Sequence, residues 1–303
     1  MKLYRAARMT VAALLSLAGF AAAAGEVYRE YFPRLPIDPA KGYLGDENWS
    51  GTVQYWKDAA TLARNLHLAK DHDGKWKLNF KFMDLDRGDL HSGHIAVDEG
   101  EALVKGFGHS EPAFLTCLGE GGTDLRGLGA TYPKYDPKLG RIMTVDSRVE
   151  HCARTALRQE IRQGTPDNVR ITSYIKSLSA GAPMSVDLRS KPIMAAYARG
   201  ERLYFTKAGQ FNLACASCHS PQGMMGKRFR GETSTTPFAD AAHFPAYRIP
   251  RGIVESMHER FRTCNSQSRT FPLPHGDPAY VDLEVFLSVL ANGYPISVPV
   301  ERP

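Results

Sequence analysis

The chain has 303 residues, 43% of them hydrophobic and 23% charged, with a formal charge of +6. At about twice the usual domain length of ~150 residues it divides most naturally into two domains. No segment is of low complexity, and the positive charge forms no basic stripe with interleaved aromatics, which argues against nucleic acid as the partner.

Lys2, Arg5 and Arg8 precede an apolar run from Val11 to Phe20, and Ala21 to Ala24 supply small residues ahead of Gly25. This is the pattern of a secretory signal, residues 1–24, cleaved after Ala24. The apolar run is too short to span a membrane and no stop-transfer pattern follows. Cleavage removes those three cations and no acid, lowering the formal charge to about +3. It also places the chain in a disulfide-permissive compartment, the bacterial periplasm.

Residues 25–50, with Pro33, Pro36 and Pro39, read as an extended arm. The spacing of Val53, Trp56, Ala60, Leu62 and Leu66 predicts a helix over 52–68, and the charged, aromatic stretch 72–90 predicts loop with short turns. A helix over 99–107 leads towards Cys117, the five glycines between 119 and 129 demand a loop, and 147–163, which contains Cys152, predicts a helix. Val169, Ile171, Tyr174, Ile175 and Leu178 put an apolar face on a helix over 168–179. Residues 179–192 are rich in Ala, Gly, Pro and Ser and read as a linker. Beyond it, helices are predicted over 193–205 and 254–261, with a turn at 209–213 between them. A last helix starts at Asp277-Pro278, shows Tyr280, Leu283, Phe286, Leu287 and Leu290 on its apolar face, and closes at Asn292-Gly293.

Cys215-Ala-Ser-Cys218-His219 is a single C-x-x-C-H. Two thiols one helical turn apart can both reach the vinyl groups of one haem, and the adjacent imidazole can ligate its iron, so the string reads as a c-type haem attachment site. A redox C-x-x-C would want a βαβ context, and a zinc half-site would want a second Cys/His pair at ligand spacing; neither is visible. A helix before the motif and a terminal helix after it follow the order of a cytochrome c domain.

Three further cysteines remain. Cys117 and Cys152 both precede the linker. They form either a bridge, which in an oxidising compartment would contribute about 3–4 kcal/mol, or two buried free thiols. Cys264 is then the odd thiol, with Arg260, Arg262 and Arg269 near it in sequence. Arginines stabilise a thiolate and suit oxyanions such as sulfonates. Cys264 follows Cys218 by 46 residues, a separation at which a sixth iron ligand commonly stands. Met257 is an equal contender; His243, His258 and His275 also offer rings, and Met224 and Met225 lie too close to the motif.

Several strings resemble the SoxA subunit family of the sulfur-oxidising system: Arg199-Gly-Glu-Arg-Leu-Tyr204, Phe244-Pro-Ala-Tyr-Arg248, His258-Glu-Arg-Phe-Arg-Thr-Cys264-Asn265, Tyr280-Val-Asp-Leu-Glu-Val-Phe286 and Asn292-Gly-Tyr-Pro-Ile296. Tyr132-Pro-Lys-Tyr-Asp-Pro-Lys-Leu-Gly-Arg141 and Arg148-Val-Glu-His-Cys152 resemble that family's first domain. The resemblance runs from about residue 50 to 300 and implies a mainly α fold of two cytochrome c-like domains in tandem. These are a haem-less domain over 51–178 and a haem-binding domain over 193–303, joined by the linker at 179–192.

The resemblance also implies an L-cysteine S-thiosulfotransferase with one covalently bound haem c. It would pair with the monohaem cytochrome SoxX, join thiosulfate to a cysteine of the carrier SoxYZ, and pass electrons to a cytochrome c. Cys215 and Cys218 would hold the haem, and His219 and Cys264 would be its axial ligands. Cys264 would also be the catalytic sulfur, able to carry a persulfide; Arg260 would contact substrate, with Arg262 as a second candidate. Many relatives carry another C-x-x-C-H in the first domain. Here that stretch reads Cys117-Leu118-Gly119, so no haem can be held there by this chemistry, and the resemblance favours a Cys117–Cys152 bridge. Arg269-Thr-Phe-Pro272 departs from the family's usual Arg-Ala-Glu-Pro.

Overall fold

The computed structural model describes residues 91–219 and 237–302, together with the backbones of two short strand pairs. These are β1 (Leu68–Lys70) with β2 (Trp76–Leu78), and β5 (Arg228–Phe229) with β6 (Glu232–Thr233). The signal, the arm and nearly all of the predicted helix over 52–68 lie outside these residues. The stretch expected to be loop after residue 72 contains β2, paired antiparallel to β1.

The first half begins with α1 (Ser92–Lys105), which starts earlier than the apolar spacing predicts because His91 caps it, its Nδ1 accepting from Gly93 N at 3.1 Å. α2 (Glu111–Leu118) carries Cys117. After the glycine-rich loop a short hairpin, β3 (Lys134–Asp136) and β4 (Arg141–Met143), leads into α3 (Val145–Cys152). Thr144 and Ser147 cap α3 reciprocally, each side chain satisfying the other's backbone N–H. The helix predicted to reach residue 163 is shorter. A π-helical turn over Ala153–Leu157 and a left-handed Arg158 (φ 59°) end it, and the redirected chain buries Ile161 in the core. α4 (Pro166–Ser177) follows. Phe114, Leu118, Met143, Val149, Cys152, Ile171 and Ile175 form the centre of this core, and the Cys117–Cys152 disulfide fastens α2 to α3.

The second half is built on α5 (Lys191–Phe205) and α9 (Pro278–Leu290), with α6 (Cys215–His219), α7 (Pro237–His243) and α8 (Met257–Gln267) around them. Asp277 caps α9 by accepting from Ala279 N, as the Asp-Pro start predicts. A three-stranded sheet stands beside α8, with β7 (Ala246–Arg248) between antiparallel β8 (Ile253–Glu255) and parallel β9 (Glu301–Arg302). The predicted helix over 254–261 therefore starts late: Ile253 and Val254, both β-branched, belong to a strand, and Ser256 caps α8 by accepting from Glu259 N.

Both halves use the same close crossing of their first and last helices. A Cβ at Gly100 of α1 would lie 2.1 Å from Arg170 O of α4, and one at Gly200 of α5 would lie 2.0 Å from Asp282 O of α9. Only glycine lets backbones approach this far. In the second crossing Arg199 clasps Asp282 with two 2.7 Å hydrogen bonds. Gly200→Val should force α5 off α9 and cost on the order of 3 kcal/mol or more, read as a lowered denaturation midpoint. An unchanged midpoint would mean the crossing is not tight.

The segment expected to be a linker is part of the second core. Met184, Val186 and Leu188 are buried in it. The segment lies along the residues after α9: Met184 N donates to Tyr294 O at 2.8 Å, Gly293 N to Met184 O at 2.8 Å, and the Asn292 side chain exchanges hydrogen bonds with the backbone of Val186. Proline and glycine hide an alternating apolar pattern at 184, 186 and 188, the period of a strand. Across the halves, Lys176 Nζ of α4 donates to Ala241 O of α7 at 3.1 Å, and Ser185 N donates to Ala130 O at 2.8 Å.

Candidate haem and sulfur site

α6 presents both motif thiols within one helical turn. It is held against α5 by Tyr204, whose hydroxyl donates to His219 O at 3.0 Å, and ahead of it Ser217 caps the turn by accepting from Ala214 N at 3.0 Å. The expected turn before the motif is a tight hairpin in which Ala208 bridges Leu213. Arg269 is drawn onto this hairpin, over the Phe211 ring at 5.0 Å and donating to Gln210 Oε1 at 3.2 Å.

Cys215, Cys218 and Cys264 come together from distant parts of the chain. Cys264 raises the pKa of both motif thiols electrostatically, behind burial as the main cause, and Cys215 is pushed up to about 12. The arrangement fits a covalently attached haem. Buried thiols are poor thiolates, but a thioether carries no proton and no charge, so the apolar wall of Tyr204, Phe205 and Ala216 suits it. A haem iron asks the protein for only two axial atoms, and the motif supplies one imidazole, His219, next to its second thiol. Among the described residues no three His, Cys, Asp or Glu side chains converge as a protein-only metal site would require.

Cys264 lies on α8, half-buried. Burial raises its thiol pKa; the guanidiniums of Arg260 and Arg248 pull it down, and Glu255 and Asp240 push it up. Arg260 is thus where its spacing predicts, one helical turn from the sulfur. Arg262 is directed elsewhere: it donates to Leu273 O and stands 3.4 Å from Glu259, which also holds His275 Nε2 at 3.1 Å. Arg262 thereby ties α8 to the loop before α9, a task shared by Asn265, whose side chain donates to Tyr280 OH at 2.9 Å.

The competing ligands are also placed. Met257 is buried and lines a cleft facing the first half, with Tyr132, Asp146, Lys176 and Glu284. His258 accepts from Gly276 N through Nδ1 at 3.0 Å and presents Nε2 to Glu284 at 3.1 Å. His243, buried on α7, faces Asp240.

Arg248 and Glu255 carry no role in the sequence reading. The first is buried at the end of β7 and the second has no exposed surface at the end of β8. The signal for Arg248 is strand alternation, which puts it on the same inward face as Ala246.

A family model described as the SoxA/TsdA cytochrome c domain matches residues 99–184. L-cysteine S-thiosulfotransferase subunit SoxA of Chlorobaculum thiosulfatiphilum is 30% identical over 209 residues, covering 69% of this chain and 71% of that protein. The chain belongs to the SoxA family. The SoxA subunit of Pseudaminobacter salicylatoxidans is likewise 30% identical, over 213 residues, covering 69% of this chain and 73% of the relative. A SoxA subunit of Hydrogenobacter thermophilus is 27% identical over 241 residues, 78% of this chain and 90% of its own. The crystal structure of SoxXA from P. pantotrophus shares the fold, with a TM-score of 0.60 at 20% identity, covering 70% of this chain and 78% of that one. The SoxA fold here is cytochrome c-like and helix-rich, with small sheets. Among the described residues no helix is long and apolar enough to cross a membrane.

Proposed function

We propose that this SoxA chain is the catalytic cytochrome subunit of a periplasmic L-cysteine S-thiosulfotransferase, working with a SoxX cytochrome subunit to join thiosulfate to a cysteine of the SoxYZ carrier. One observation carries the reading: an unbridged thiol, Cys264, is close enough to the C-x-x-C-H thiols and to the guanidiniums of Arg260 and Arg248 for their charges to act on one another. The five cysteines divide accordingly, one pair bridged in the first half, one pair for the cofactor and one sulfur for chemistry. The two cores, each with its glycine crossing, support a tandem arrangement in which only the second domain holds a haem.

Cys215 and Cys218 would hold a haem, with His219 and Cys264 as the residues offered to its iron, and when bound it would supply a one-electron relay to an external cytochrome c. Arg260 and Arg248 bind the thiosulfate dianion by charge-assisted hydrogen bonds in a partly desolvated site. Cys264 is the sulfur beside which the outer sulfur of thiosulfate is held while the carrier cysteine joins it, the anion staying whole. In the net reaction a sulfur–sulfur bond forms between the carrier cysteine and thiosulfate. Two electrons leave to two equivalents of ferric cytochrome c, and the carrier's thiol proton is released.

The purified complex of this chain with its SoxX partner should reduce cytochrome c from thiosulfate only when SoxYZ is added, and the carrier should gain the mass of one thiosulfate. Equal reduction without carrier, with tetrathionate as product, would replace this reading with a thiosulfate dehydrogenase.

A further inference from the structure

The helix that carries Cys264, α8, ends at Gln267 in a left-handed cap: Thr270 N donates to Asn265 O at 2.8 Å, and Arg269 N donates to Ser266 O at 3.1 Å. Arg269 takes the left-handed position, φ 55°, which glycine fills most easily and where any side chain is unfavourable. The side chain that bears this cost is engaged. Arg269 Nη1 donates to Gln210 Oε1 at 3.2 Å, and its guanidinium lies 5.0 Å from the Phe211 ring centre. Its carbonyl accepts from Gln210 N at 3.3 Å. Gly209 (φ 71°) is seated on the cap itself: a Cβ there would lie 2.3 Å from Thr270 Oγ1 and 2.7 Å from Ser268 O.

Gly209, Gln210 and Phe211 belong to the hairpin that leads into the attachment motif. Ala208 N donates to Leu213 O at 3.0 Å and Leu213 N to Ala208 O at 3.1 Å, and Ala214 and Cys215 follow directly. At the other end of the contact, Cys264 O accepts from Ser268 N at 2.9 Å. A short run of hydrogen bonds and close contacts thus joins the residue bearing the site sulfur to the residue bearing the first attachment thiol. The ties of α8 at Arg262 and Asn265 lead instead to the loop before α9 and to α9.

We propose that Arg269 is a positioning residue for the Cys264 site: with Gly209 it fastens the end of α8 to the hairpin before the attachment motif, and so sets the separation of the Cys264 sulfur from the Cys215 and Cys218 thiols. This rests on the reading of Cys264 as a sulfur offered to haem iron. Arg269 acts through the two segments it joins.

The test uses the haem-loaded complex with its SoxX partner, read by electron paramagnetic resonance of the ferric protein and by steady-state kinetics with carrier. Arg269→Gly decides. Glycine suits the left-handed position and ends a helix at least as well, so a helix-ending role alone predicts the parent's spectrum and turnover. The fastening role predicts a thiolate signal split into two populations. It also predicts kcat lowered about tenfold with KM within about twofold, because Arg260 and Arg248 stand on the first half of α8 and on β7. Arg269→Lys, which keeps a cation for Phe211, should recover most of both losses. Gly209→Ala drives a Cβ into the cap and should split the signal with haem still attached. Gly140→Ala, at φ 65° with open space around it, imposes the same kind of backbone penalty in the first half and should leave the spectrum unmoved. A parent-like spectrum and kcat in Arg269→Gly would overturn the proposal. So would a change confined to KM, which would make Arg269 an anion contact, or a Gly140→Ala spectrum that splits as well. If Gly209→Ala does not fold, Arg269→Gly still decides. A parent complex with no thiolate signal would instead remove the reading of Cys264 as an iron ligand, and the proposal with it.

Discussion

Cys264→Ala should abolish carrier-dependent thiosulfate turnover, a loss on the order of 10⁴-fold or more, and should leave haem covalently attached. The attachment thiols are on α6, and α8 is fixed independently of the Cys264 side chain by its Ser256 cap and the Asn265–Tyr280 hydrogen bond. The change therefore removes a sulfur without removing the helix that carries it. Haem staining of the denatured chain should be unchanged, whereas the electron paramagnetic resonance spectrum of the ferric protein should lose its thiolate signature. Full turnover in this variant would take Cys264 out of the mechanism, and an unaltered spectrum would take it off the iron.

Arg260→Ala should reduce kcat/KM for thiosulfate roughly 100-fold, about 3 kcal/mol, with most of the change in KM. Two effects add. A guanidinium is lost from the anion site, and the Cys264 thiol loses the strongest of the groups that pull its pKa down, so less thiolate is present at neutral pH. Arg260→Lys should recover part of the loss, since a point charge replaces a planar fork. Steady-state kinetics with saturating carrier separate the two parameters; a kcat/KM equal to the parent's would refute the clamp. Arg262→Ala should act differently, loosening the loop at Leu273 and moving stability more than KM, because its guanidinium is bound to Leu273 O and Glu259.

The helices that bear on the site were legible where local signals agree. α4, α5 and α9 show apolar faces at helical spacing, and the Asp277-Pro278 start and Asn292-Gly293 end of α9 are explicit. The Cys215-Ala-Ser-Cys218-His219 string was legible as a motif because it lies within the one short helix α6. Cys264 was legible as an odd thiol, but residues alone could not separate it from Met257, which in the fold lines the cleft between the halves. Arg248 and Glu255 were not legible, because their significance comes from a β-hairpin that sets two strand ends against a helix, and no periodicity in one segment reports that. Residues 179–192 misled for a related reason: composition reads local stiffness, whereas burial there is decided by Asn292 and Tyr294, more than 100 residues away.

The pairing of Met184 and Val186 with the chain after α9 has a consequence for any attempt to dissect the molecule. A gene fusion or proteolytic nick between residues 182 and 192 should not liberate a self-sufficient haem carrier, because it would strip the C-terminal half of an extended segment buried in its own core. The smallest autonomous unit around Cys215 must reach back to Ala180, which already bridges Ile296.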